Sequence, residues 1–354
     1  MQLDNDSPWS AALVPGWGSD RNMQMTCIVK IAFQWNEQGE LTPLPADQCE
    51  ICYQDEYAND DPETGSVCQA NDTVPFKSGF EWLLAGTLQP KQGTTQQVLS
   101  VAFHHPEFRH EKKIIATGKR YWKKSIFGLI PSEPEVLTEC PINYEHAFGG
   151  QYLPDGDKVF QYDANPVGTG YYKARDRHDS KPVFLPTYET LPLLTSTKSK
   201  PTPAGFNALS LTWAPRDEGF KKLDSEAAAE GRCPYPQIFS KTLYNCAPLD
   251  QRFESAPPPG TKIQLSGFSD KDITVVLPDV TAQIRLLQVT EGRVKKLKPN
   301  VDTLLLNTDT KMITLVYRQS IPWHPIYSPI SQILLTEAEL NGTAEQSAHN
   351  RVNA

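Results

Sequence analysis

The sequence predicts a mainly β protein: β-sandwich-like sheets with long ordered loops and a few short helices. Three observations carry that expectation. The chain holds 30 prolines and 21 glycines, residues that end regular runs by removing a backbone donor or by supplying positive φ. Its clearest periodic segments alternate apolar and polar residues with a period of two. Helical composition is confined to one or two short stretches.

The first element is "MTCIVKIAFQW", which sets Cys27, Val29, Ile31, Phe33 and Trp35 on one face and Thr26, Lys30 and Gln34 on the other, a half-buried strand. "NEQGE" turns the chain, with Gly39 free to take positive φ, and "LTPL" returns as a hairpin partner. Residues 54–75 carry six acids and no base and read as a long, solvated acidic loop. Strands follow at "QQVLSVAF" and "KKIIATGKRYW".

The middle third, 131–260, is broken by Pro and Gly into long loops, apart from "RDEGFKKLDSEAAAEGR" (216–232), an Ala- and Glu-rich helix ending before Gly231. Regular alternation resumes in "DITVVLP", "AQIRLLQV", "VDTLLLN" and "KMITLVYR", four strands of a β-meander. "SQILLTEAELNG" (331–342) reads as a terminal helix. The expected organisation is a β-rich region over 1–255, a C-terminal β-meander over 261–335 packed on it as one unit, and a frayed tail over 336–354. "ESAPPPG" (254–260) is the candidate hinge.

Composition removes several functional classes. A net charge of −8 without a Lys/Arg block lacks the footprint of a nucleic-acid or anionic-membrane binder, and a basic partner fits better. The first residues have no basic segment followed by an apolar one, so a cytoplasmic protein without membrane insertion is expected. Seven scattered cysteines fit reduced thiols. Cys49-x-x-Cys52 with Cys68 lacks a fourth zinc ligand, and His104, His105 and His110 in "HHPEFRH" read as a solvated loop, so no metal is expected. The motifs G-x-S-x-G, S-x-x-K and H-E-x-x-H are absent, and no catalytic residue or cofactor is assigned.

One stretch resists the bland reading. "CPINYEHAFGGQ" (140–151) places Tyr144, Glu145, His146 and Phe148 directly before Gly149 and Gly150. Either this is a bulged strand end with Tyr144 and Phe148 packed inside, or Glu145 and His146 are pinned on a rigid turn where they meet other loops or a partner.

With "NPVGTGYY" (165–172), "PAGFNALSLTWAPR" (203–216) and "YNCAPLDQR" (244–252), that stretch resembles a bacterial family first catalogued as a domain of unknown function, whose members resemble adaptors of type VI secretion systems. "DDPETGSV" (60–67) and "GKRYW" (118–122) are similar to the family's earlier blocks. The chain departs from the family where His146 replaces the common Arg and where Val-Pro-Phe-Lys stands at 74–77.

The resemblance implies a non-enzymatic adaptor or chaperone that binds a PAAR-containing effector and helps load it onto the VgrG spike. In that reading Tyr144 to Gly150 pack against the loops carrying Asn165, Gly168 and Gly170 and those carrying Trp213 and Arg216. Trp213 serves as core anchor or as contact, and Arg216 is of a type enriched at interface hot spots. Asp250 and Gln251 supply hydrogen bonds. The alternatives are a hydrolase that brings Glu145, His146 and Asp250 into one pocket, and a structural baseplate component.

Overall fold

A computed structural model describes residues 1–126, 128–152, 160–171 and 182–338. Three sheets carry the fold. Their main strands, in chain order, are β1 Gln2–Asn5, β2 Ser10–Trp17, β3 Met23–Trp35, β4 Phe80–Ala85, β5 Gln96–His105, β6 Phe108–Thr117, β7 Lys262–Ser266, β8 Ile273–Val276, β9 Ile284–Thr290, β10 Arg293–Leu297, β11 Asn300–Asn307, β12 Met312–Pro322 and β13 Ser331–Glu337.

The largest sheet runs Arg252–Phe253, β4, β11, β12, β3, β2, with Leu41–Pro43 closing the hairpin on β3. Gly39 makes that turn at φ +83°. A second sheet runs Tyr188–Glu189, β6, β5, β7, β8, and a third runs β1, β13, β9, β10. One apolar cluster joins all three, from Val29, Trp82 and Leu315 through Phe103 and Ile263 to Leu286 and Ile333. Trp82 meets Phe103 across two sheets with ring centroids 5.4 Å apart. Burying such side chains contributes about 1.5–3 kcal/mol each, so this shared core accounts for the mainly β, sandwich-like packing.

The outer face of β3 is buried too, because the acidic segment lies on it. Lys30 Nζ donates to Asp72 Oδ2 at 2.7 Å and to the Glu50 carbonyl at 2.9 Å, and Thr26 Oγ1 donates to the Pro75 carbonyl at 3.0 Å. Arg318 on β12 binds the carbonyls of Asp72 and Val74. Residues 54–75 are therefore not a freely solvated loop. They include a small strand pair, Glu56–Tyr57 with Val67–Gln69, and buried cations hold their far end in place.

Other expectations are corrected in the C-terminal third. β11 and β12 form the antiparallel hairpin that the sequence predicts. The four strands are not one meander, however, because β8 belongs to the second sheet and β9 to the third. Residues 331–337 are a strand rather than a helix: Ile333 and Leu335 alternate into the core while β13 pairs with β1 and β9. A short apolar run such as Ile-Leu-Leu fits either period, and only its neighbours decide. β10 was hidden by its basic, largely exposed residues.

The expected helix at 216–232 is two, Asp217–Phe220 and Ser225–Ala229, the second capped by Asp224 Oδ1 accepting from the Ala227 N–H at 2.9 Å. "HHPEFRH" is a β5–β6 hairpin, not a solvated loop. His110 lies on β6 with its ring 4.9 Å from that of Phe253, and burial lowers its pKa. The expected tail falls largely on residues 339–354, which lie outside the described residues.

Candidate functional site

The motif loops converge, and Asn165 shows how. This fully buried side chain donates to the carbonyls of Tyr144 at 2.8 Å and Phe148 at 3.1 Å, so it holds both ends of the turn. Phe148–Gly149 then pairs in parallel with Thr169–Gly170. The two glycines are required by space as well as by angle. A Cβ on Gly149 would fall 2.1 Å from the Asn165 carbonyl oxygen, and Gly150 sits at φ +113°. Gly168 and Gly170 lie on the other side of the same contact, where a Cβ on Gly168 would fall 2.3 Å from Asn165 Nδ2.

Tyr144 points inward. Its ring meets that of Trp213 edge-on at 5.5 Å, and its hydroxyl donates to the Asn207 carbonyl at 3.4 Å. Gly205 permits this approach, since a Cβ there would lie 2.7 Å from the Tyr144 ring. Trp213 is 1% exposed, which assigns it to the core rather than to a contact surface. Phe148 is likewise buried against Tyr162 at 5.0 Å.

The polar members also bind neighbouring loops. Glu145 accepts from the Ser66 N–H at 2.7 Å and the Ser66 hydroxyl at 2.6 Å, which ties the turn to the 60–67 block. His146 is half-buried beside the Tyr188 ring, and burial lowers its pKa against the pull of Glu145. Its carbonyl accepts from the Thr187 N–H at 2.9 Å. In the 118–122 block, Arg120 forms a buried ion pair with Glu189.

The 244–252 block is anchored from below by Glu81 on β4. This buried carboxylate accepts from Lys77 Nζ at 2.6 Å, from Asn245 Nδ2 at 3.1 Å and from the N–H groups of Cys246 and Ala247. Burial alone would raise its pKa, but Lys77, the Ala247 N–H and the nearby Arg252 charge hold it down to about 2. Gln251, fully buried, donates to the carbonyls of Trp82 and Phe206 and accepts from Lys112 at 2.7 Å. Asp250 accepts from Lys112 at 2.9 Å, with its side chain 57% exposed.

Above this scaffold opens a cleft of about 1000 Å³. Tyr144 and Lys112 line it, together with Ala204, Leu209, Pro215 and Arg216 from the 203–216 block and Leu249, Asp250 and Arg252 from the 244–252 block. Ile238, Phe239 and Leu243 complete an apolar wall. Leu249 is 78% exposed and Ile238 93% exposed. Arg216 is half-buried, with its guanidinium 5.8 Å from the Phe220 ring centre.

Glu145 and His146 do not line this cleft, so the trio of Glu145, His146 and Asp250 is not assembled there. Among the described residues, no group of three or more His, Cys, Asp or Glu side chains is placed to hold a metal. Cys52 donates its thiol proton to the Gln54 carbonyl, and burial pushes its pKa up to about 11.

The sequence reading missed Lys112, Ile238, Phe239, Leu243, Leu249 and Arg252. Leu249 carried a signal, an apolar residue between Pro248 and Asp250 inside a recognisable block. Lys112 carried none, because only the fold brings β6 beneath that block.

A bacterial family model described as "Uncharacterized protein conserved in bacteria (DUF2169)" matches residues 20–318. The chain belongs to the DUF2169 family. No curated protein and no solved structure matches it. The matched span of this DUF2169 chain contains every block that builds the cleft. No helix among its described residues is long and apolar enough to cross a membrane.

Proposed function

We propose that this DUF2169 chain is a non-enzymatic adaptor or chaperone of a bacterial type VI secretion system. It binds an effector through the effector's PAAR-containing region in the cytoplasm and assists loading onto the VgrG spike. The observation that carries this reading is the convergence of three distant blocks, 140–151, 203–216 and 244–252, on one cleft with an apolar, exposed rim. Buried hydrogen bonds pin each block, which gives a preformed surface that loses little ordering entropy on association. Exposed Leu249 and Ile238 supply the apolar contact that such a surface needs.

The hydrolase alternative draws less support, since Glu145 is bound to Ser66, Asp250 to Lys112, and His146 packs beside Tyr188. A baseplate component would keep a stoichiometric place in the assembled apparatus, whereas an adaptor leaves after loading.

Co-expression with the PAAR-containing protein encoded nearest to this chain, then affinity purification and size-exclusion chromatography, tests the proposal. Co-elution with improved effector solubility is expected. Ile238→Asp combined with Leu249→Asp is expected to weaken the complex by at least about tenfold with an unchanged melting temperature. Separate elution of two folded proteins would overturn the adaptor reading.

A further inference from the structure

The cleft differs in charge from the molecule around it. The chain as a whole carries −8, yet among the described residues Lys112, Arg216, Lys222 and Arg252 line the cleft against Glu218 and Asp250. Lys112 is committed to Asp250 and Gln251. The two arginines are not ion-paired among the described residues. Arg216 donates to the Leu209 carbonyl, and Arg252 donates to the carbonyls of Ala247 and Asn245. The Nε–H of Arg216 is buried and has no acceptor among the described residues. A guanidinium has five N–H donors arranged for a planar anion, so both side chains keep unused capacity for a carboxylate.

We infer that the cleft seats an extended segment of the partner protein in which an apolar side chain stands next to carboxylates. The apolar group packs against Leu249 and the wall opposite, and Arg216 and Arg252 take the acid. A volume of about 1000 Å³ is at the upper end for small-molecule pockets, which suits several side chains of one segment rather than a single small anion. The acidic surface repels such a segment at long range, so recognition is confined to the cleft, where the local charge has the opposite sign. The nature of the partner rests on the adaptor reading, and the chemistry of the cleft does not.

The first probe is anilinonaphthalene sulfonate, an aromatic group with one anionic charge, compared with uncharged phenylnaphthylamine. Fluorescence titration is expected to show one sulfonate probe per chain, bound at least about tenfold more tightly than the neutral one. Leu249→Lys and Leu249→Asp remove the same apolar group at an exposed position and differ in charge. The Lys variant is expected to bind the anionic probe at least about tenfold more tightly than the Asp variant at low salt. Equal binding of the two probes, or equal affinity of the two variants, would overturn the inference.

A second arm adds the PAAR-containing effector, which is expected to displace the anionic probe and to prefer the Lys variant. Effector capture that leaves the probe in place, or that ignores the charge at position 249, overturns the inference and leaves the adaptor reading standing. Anion selectivity without effector capture overturns the adaptor reading and the partner assigned here, while the cleft chemistry stands.

Discussion

At the scale of single residues, the motif blocks act mainly by satisfying buried backbone groups. Asn165→Ala would leave the buried Phe148 carbonyl without its donor and the Tyr144 carbonyl with only the Ala147 N–H; an orphaned buried group costs about 1–3 kcal/mol and a lost hydrogen bond about 0.5–1.5 kcal/mol. Denaturant unfolding is expected to show a loss of roughly 1.5–4.5 kcal/mol; an unchanged midpoint would remove Asn165 as the keystone. Trp213→Ala empties a buried site beside Tyr144 and is expected to cost about 3–5 kcal/mol. Its effect on binding would therefore report folding, and the exposed Leu249 and Ile238 are the positions that test contact. The sequence marked Tyr144, Gly149 and Trp213 as special, since paired glycines beside aromatic residues announce close packing. It did not separate core from surface for Trp213, because a large aromatic side chain with a polar end serves in either place.

At the scale of elements, β4 is the platform on which the 244–252 block stands, and Glu81 is the joint. Its folded pKa of about 2 lies below the ordinary 4.5, so its stabilisation is complete above pH 4.5 and is lost as pH falls toward 2. Thermal unfolding is expected to show this acid-side loss in the native chain and a smaller one in Glu81→Gln. That variant also leaves buried Lys77 without its charged partner, at a cost of about 3–5 kcal/mol. A steep acid dependence surviving in the variant would assign the effect elsewhere. β3, β5 and β12 were legible because their alternation is strong, with Val29, Ile31 and Phe33 on one face. β13 was misread and β10 missed: the first is too short and apolar to show a period, and the second is held by pairing with β9 rather than by its own apolar face.

At the scale of the whole molecule, the regular C-terminal third is woven into sheets that begin near residue 1. β11 lies between β4 and β12, β12 pairs with β3, and β13 pairs in parallel with β1. The sequence showed a composition change near 254–260 but could not show that the sheets cross it, because strand order depends on contacts hundreds of positions apart. Deleting residues 331–337 would take the strand between β1 and β9 and expose the faces covered by Ile333 and Leu335. Loss of soluble protein is expected, read from the supernatant after expression; a soluble product with native melting would refute that role. The same weave constrains synthesis. While the chain emerges from the ribosome, β3 waits for β12 and β1 for β13, so the nascent protein keeps apolar strand faces uncovered until residues near 337 have left the exit tunnel. Pairings at such separation form slowly. A chain woven in this way itself depends on protection during its own translation, and its sheets are complete only after nearly all of it has been made.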